Sequence, residues 1–411
     1  MRPALWARSP TVGLLAGATL VNSFGNGLFM VASLLFFTRV VGLEPVAVGI
    51  ALTVAEYAGL ATAVPIGRAA DRFGAKPVLQ ALLLVQGGAT ALFLLPDSVG
   101  WFAATAVVYS IGQKAARGVN NALIADVAGP DDRTVVRAHL RAMNNLGMSL
   151  GALAAGLAVA ADSRAAYSLL FAVDALTFVG AAVFLARVRW RPAGATGAPA
   201  PGRSALRDPS YLRLTALNAV VSLHYSVLII GLPLWIADRT SVPDWTLSPL
   251  LALNTAMVVL LQVRVSRRIT SVRTSAAYLK RAAGLFLISV PALGCAALGS
   301  PVVAIVLLVA GVVVHTIAEI WHAAAAFEAS VARAVPGRQG DYQSVFALGQ
   351  GISESLAPAL LVTLGLGLGV PGWLLLGAAL AAGALLMAVS LDPRGRKEEG
   401  NVDQPAPHGR P

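Results

Sequence analysis

The sequence predicts an all-α polytopic membrane protein with twelve transmembrane helices in two six-helix halves. Three observations carry that prediction. The 411-residue chain is 57% hydrophobic and only 12% charged, where soluble chains carry about 25% charged residues. Apolar runs recur that are long enough to cross a bilayer core of about 30 Å. Basic residues gather in alternate connections between those runs.

The spans follow in order. Arg2 and Arg8 precede an apolar stretch over 12–38, which holds Asn22 and Asn26. It is too long for a signal-peptide core, so it reads as an uncleaved first helix. Further spans are expected at 46–66, 77–95, 99–124, 139–160 and 165–186. The stretch "RWRPAGATGAPAPGRSALRDP" then breaks the pattern with Pro, Gly and Ala, and reads as a flexible linker. Spans resume at 212–237, 247–264, 275–298, 301–326, 342–367 and 371–391. The expected organisation is therefore a first half over 1–190, a linker over 191–210, a second half over 211–391 and a disordered tail over 392–411.

With both ends placed in the cytoplasm, the inward-facing segments and the span ends that adjoin them collect all but five of the 31 Lys and Arg. Arg39, Arg164 and Arg239 fall outside, and Lys114 and Arg117 fall within the fourth span. This is the positive-inside pattern. The net charge of +11 clusters on no single module, so the basic surplus is expected to face anionic lipids rather than nucleic acid. Cys295 stands alone and forms no internal disulfide.

Between the second and third spans lies "VPIGRAADRFGAKPVL". Gly67 and Gly74 bracket Asp71, with Arg72 and Lys76 beside it. This resembles the G-x-x-x-D-R-x-G-R-K signature of the major facilitator superfamily, departing from it at Ala75. The resemblance implies a gate: Asp71 meets the start of the eleventh helix, near Tyr342, and holds one side closed. "KAARGVNNALIAD" is similar to the family's fourth helix, with Arg117 at its intramembrane arginine. "NNLGMSLGALAAG" resembles the glycine-rich fifth helix of exporters without its proline, and "FAVDALTF" the sixth helix of drug-efflux branches. "PGRQGDYQSVFALGQGISESLAP" resembles the connection into the eleventh helix. The matching loop of the second half, "VRVSRRITSVRTS", lacks the acid and the glycines. The family resemblance also implies a monomer.

Charge within a span is costly, about 2.5–3.5 kcal/mol per residue on insertion scales, so it needs a partner, a proton or a wet cavity. Glu56, Asp174 and Glu354 fall near mid-depth, and Glu319 and His322 lie nearer one end of the tenth span. All five are candidates for proton coupling. Each also has a structural reading: Glu56 as an ion pair with Arg117, Asp174 as a helix-to-helix contact, Glu354 as a partner for backbone freed by Pro358. His315, Glu319 and His322 share one helical face and are expected to form a polar stripe on a cavity. The Glu-x-x-His spacing occurs once and predicts no metal site. Asn22, Asn26, Arg117, Asn145, His224 and Asn254 are candidates for the substrate cavity, or alternatively polar contacts between helices.

No nucleotide-binding or hydrolase signature is present in the sequence. The reading is a secondary transporter, not an enzyme, without a cofactor. It is expected in a bacterial inner membrane and leans to proton-coupled efflux of a drug-like molecule or natural product. Import of a sugar or organic acid, or a non-transporting sensor, are the alternatives.

Overall fold

The computed structural model describes residues 9–95, 98–161, 163–189 and 203–391. Most of the expected linker and the whole tail lie outside these residues. No strand occurs among the described residues.

Helix α1 spans Pro10–Leu35 and ends in a π-helical turn, Phe36–Val40. Helices α2 (Pro45–Phe73) and α3 (Ala75–Leu92) follow. One helical run, Val99–Ala161, carries the next two spans. Tyr109 approaches Asn26 of α1 at 3.5 Å, while a Cβ on Gly151 would strike Phe24 and Leu28 of the same helix. A straight helix would hold Tyr109 and Gly151 roughly 60 Å apart at 1.5 Å per residue. The run therefore doubles back, with α4 at 99–128 and α5 at 132–161. Helix α6 is Arg164–Arg187.

In the second half, α7 spans Pro209–Arg239 and contains a π turn at Val227–Gly231. It is followed by α8 (Leu247–Ser266), α9 (Val272–Cys295), α10 (Pro301–Arg333), α11 (Gln339–Gly367) and α12 (Val370–Ser390). Among the described residues, nine helices are long and apolar enough to cross a membrane. The other three spans are α3 and the two arms of the doubled run.

Local chemistry sets the helix starts. Proline occupies the first turn of α2, α7, α10 and α12, where its missing N–H costs nothing. Ser163 and Asp208 cap α6 and α7, and Ser271 forms a capping box with Thr274 at α9. The helices run longer than the apolar runs alone indicate. Helix α2 continues to Phe73 rather than 66, so the connection to α3 is Gly74 alone. The loop expected over 125–138 is helical, and residues 203–210 of the expected linker are ordered.

Two apolar cores match the two halves. One is built from α1–α6, joined by Phe327 and Val331 of α10, and the other from α7–α12. A third cluster sits where the halves meet, at the end of the bundle that carries the Gly74 turn. That end is called the gate end below.

Candidate functional site

At the gate end, the first N–H groups of α11 have no partner within their own helix. Asp71 supplies one. Its carboxylate accepts the N–H of Gly340 at 2.5 Å and that of Asp341 at 2.8 Å. An anion at the positive end of a helix dipole is favourable. The contact requires two backbones to touch. A Cβ on Gly67 would collide with the Gly340 carbonyl and the Ser344 side chain. Gly74 turns the chain at φ 97, a conformation that L side chains avoid.

Arg68 donates to Asp341 at 3.0 Å and to Ser204 at 2.8 Å. The second Asp341 oxygen accepts the Ala205 N–H, and the Tyr342 hydroxyl donates to Asp208 at 3.2 Å. The end of the linker is thus tied to the start of α11. Burial works to raise the Asp208 carboxyl, but the bonds it accepts from Ser210, Tyr211 and Tyr342 outweigh that and hold it below its ordinary value. Arg72 lies over the Phe73 ring. Lys76 does not reach the other half. It donates to the carbonyls of Ala186 and Val188, at the end of α6.

A second contact between the halves lies at the same end. Arg133 grips both oxygens of Glu328 at 3.0 and 2.6 Å, and the Thr134 hydroxyl adds a bond of 2.6 Å. Glu328 is 1% exposed. Removing one partner of such a buried pair costs about 3–5 kcal/mol.

Behind these contacts is a cavity of about 920 Å³ between the halves. Two further ion pairs between the halves flank it. Arg117 donates to both oxygens of Glu354, at 2.8 and 2.9 Å. Arg141 donates to Glu319 at 2.5 Å and to the Tyr225 hydroxyl at 2.9 Å.

Of the residues singled out in the sequence, Asn22, Asn26, Glu56, Arg117, Asn145 and His322 line the cavity. Others do not, each for a visible reason. Asp174 is fully buried inside the first half, where its bonds are to Thr177 of its own helix. Glu319 is taken by Arg141 and by Asn254, which is itself held by Thr316 and Glu319. His224 is fully buried: its Nε2 lies 3.1 Å from His322 Nδ1, and its carbonyl lies 3.1 Å from His315 Nε2. His322 Nε2 in turn lies 3.2 Å from Asn218 Oδ1. With that oxygen as acceptor, His322 is the Nε2–H tautomer and His224 donates to it. The expected cavity stripe of His315, Glu319 and His322 is therefore a packed network of which His322 alone reaches the cavity.

Glu354 meets the cavity edge through Arg117. Glu56 pairs with Lys114 at 2.6 Å, not with the Arg117 expected from sequence. Residues three apart lie about 60° apart around a helix, enough for Lys114 to face α2 while Arg117 faces α11. Sequence reasoning missed Glu328 and the row Arg133, Arg137, Arg141. The signal was the four-residue spacing on α5, which puts three guanidiniums on one face.

These features can be set beside known proteins. The sequence profile described as Major Facilitator Superfamily matches residues 15–358. No curated protein matches the chain significantly. Among solved structures, a bacterial homologue of the iron transporter ferroportin in an outward-facing state superposes with a TM-score of 0.73 at 16% identity, covering 93% of this chain and 98% of that one. The human organic anion transporter MFSD10 (TETRAN) gives 0.70 at 16% identity, covering 93% and 99%. A variant of the E. coli fucose:proton symporter FucP gives 0.67 at 13% identity, covering 93% and 98%. At these identities the likeness is one of fold.

Proposed function

The chain belongs to the Major Facilitator Superfamily, and from that premise we propose that it is a secondary active transporter working by alternating access. In this reading it exports a small drug-like molecule or natural product in exchange for protons. The observation that carries the reading is one central cavity whose gate end is closed by contacts between the halves. Rocking the halves must break the Asp71, Glu328 and Arg141 contacts together. The gate end then faces the cytoplasm of a bacterial inner membrane, with both termini and the basic surplus against anionic lipids. The protein acts as a monomer, with no nucleic-acid partner.

Glu354 is the best-placed coupling acid. Its ion pair crosses the halves, so rocking separates it from Arg117. Glu56 keeps its partner within the first half and comes second. The glycines of α5 that pack on α1, Gly147 and Gly151, support export through their likeness to exporter fifth helices.

A second reading, import of a sugar or organic acid, is favoured by the amides on the cavity wall, including Asn22, Asn26, Asn120, Asn145 and Gln350. A direct test uses inside-out vesicles with an acid interior, a panel of cationic, neutral and anionic compounds, and a pH-sensitive dye. Substrate-dependent proton release that is lost in Glu354→Gln supports antiport. No release with any compound, alongside uptake of a nutrient by whole cells, reverses the direction. Loss of all flux in Asp71→Asn would exclude a non-transporting sensor.

A further inference from the structure

The cavity carries an unbalanced charge. Its charged lining residues are Glu56, Arg117, Arg137 and Arg141. Three have opposite-charge partners: Glu56 has Lys114, Arg117 has Glu354 and Arg141 has Glu319. Arg137 has none among the described residues. The reason is one of register. Arg133, Arg137 and Arg141 form one row on α5, and α10 answers the outer two with Glu328 and Glu319. At the level of the middle arginine α10 carries Ala323 and Ala324, and the guanidinium carbon instead lies 5.6 Å from the ring of Phe327. Of the titratable groups around Arg137, Arg141 acts on its charge most, the Tyr225 hydroxyl next and in the favourable sense, and Arg117 after that.

A guanidinium removed from bulk water with no carboxylate of its own is costly unless an anion joins it. Stacking on a ring face leaves its N–H edge free for a planar, two-point acceptor. Away from the gate end, the same cavity is walled by Phe29 and Tyr109, whose rings stack at 4.9 Å. By the helical rise of about 1.5 Å per residue, roughly 20 Å separates the two regions.

We propose that the cavity binds an amphipathic organic anion, with its carboxylate, sulfonate or phosphate head on Arg137 and its aromatic or apolar body toward Phe29 and Tyr109. This rests on the transporter reading above and names the class of its substrate. It places lipophilic cations among the poorer ligands, because a cation would sit beside the one guanidinium that no acid neutralises.

The test uses two dyes built on one ring system, fluorescein as the anion and a rhodamine methyl ester as the cation. Binding to the purified full-length protein is read by fluorescence polarisation, independently of flux. Fluorescein should bind saturably and more tightly than the rhodamine. Arg137→Gln should weaken fluorescein about tenfold to a hundredfold, the range for losing a hydrogen bond to a charged group. Arg137→Lys, which keeps the charge, should recover part of the loss, and this separates lost charge from lost fold. Tighter binding of the rhodamine, no saturable fluorescein binding, or fluorescein binding indifferent to Arg137→Gln overturns the proposal. Flux in proteoliposomes is scored separately. Fluorescein that binds through Arg137 but never crosses would keep the anion site and remove the transporter reading. Rhodamine flux untouched by Arg137→Gln would do the reverse.

Discussion

The two connections that occupy matching places at the gate end, α2 to α3 and α8 to α9, work differently. The first sends Asp71 across to backbone N–H groups of α11. The second exposes Arg267 and Arg268, and the hydrogen bonds between Ser271 and Thr274 stay within its own turn. The second half instead contributes Glu328 from α10, which holds side chains of α5. One contact is backbone-deep and needs glycines, and it is lost with a small displacement. The other joins long side chains that can follow a small shift before letting go. In the alternating-access reading proposed above, closure is shared between a short-range contact and a more compliant one.

Removing the compliant contact should have the largest effect. Glu328→Gln leaves the part-buried Arg133 without its anion, at a cost of up to about 3–5 kcal/mol. Spin labels at Phe73→Cys and Arg267→Cys, in a Cys295→Ser background, should report a wider gate end and a lower melting temperature. An unchanged distance would show that this pair stabilises the fold without closing the gate. Next comes the backbone contact. Gly67→Val forces atoms into Gly340 and Ser344, with overpacking worth about 1–3 kcal/mol. It should open the same label pair and reduce flux. Gly284→Ala, where a Cβ meets nothing within 4 Å, should do neither. Asp71→Asn comes third. It keeps one oxygen for the α11 N–H groups but loses the charge at the helix end, worth about 1 kcal/mol. A partly opened gate and reduced flux are expected. If Asp71→Asn opens the gate further than Glu328→Gln, the order of the two contacts is reversed.

How far the sequence reveals this arrangement depends on what a residue's role requires. Span positions follow from apolar length, and the turn at Gly74 follows from a local motif whose partner, the start of α11, lies close to the expected Tyr342. Roles that depend on helix rotation do not follow. Lys114 and Arg117 look interchangeable until α2 and α11 are placed on either side of α4. Arg133, Arg137 and Arg141 count toward the positive-inside pattern, yet two of them are ion pairs between the halves and the third faces the cavity. Asp174 looks like a mid-membrane acid open to coupling, but rotation of α6 turns it into the first-half core. Charge identity is local information, while charge pairing belongs to the packed bundle.

The smallest expected effect sharpens the comparison most. Lys76 belongs to the same charged motif as Asp71, but its ammonium bonds the last carbonyls of α6 within its own half. A cation at a helix C-terminus contributes about 0.3–1 kcal/mol, and rocking the halves as bodies leaves that contact intact. Lys76→Ala should therefore lower thermal stability slightly, leave the Phe73–Arg267 label distance unchanged and reduce flux by less than about twofold, since a stability loss of this size leaves nearly all molecules folded. A flux loss as deep as that of Asp71→Asn, with the label distance shifted, would place Lys76 in the gate as the motif implied. The division between residues that brace one half and residues that join the two would then have to be redrawn.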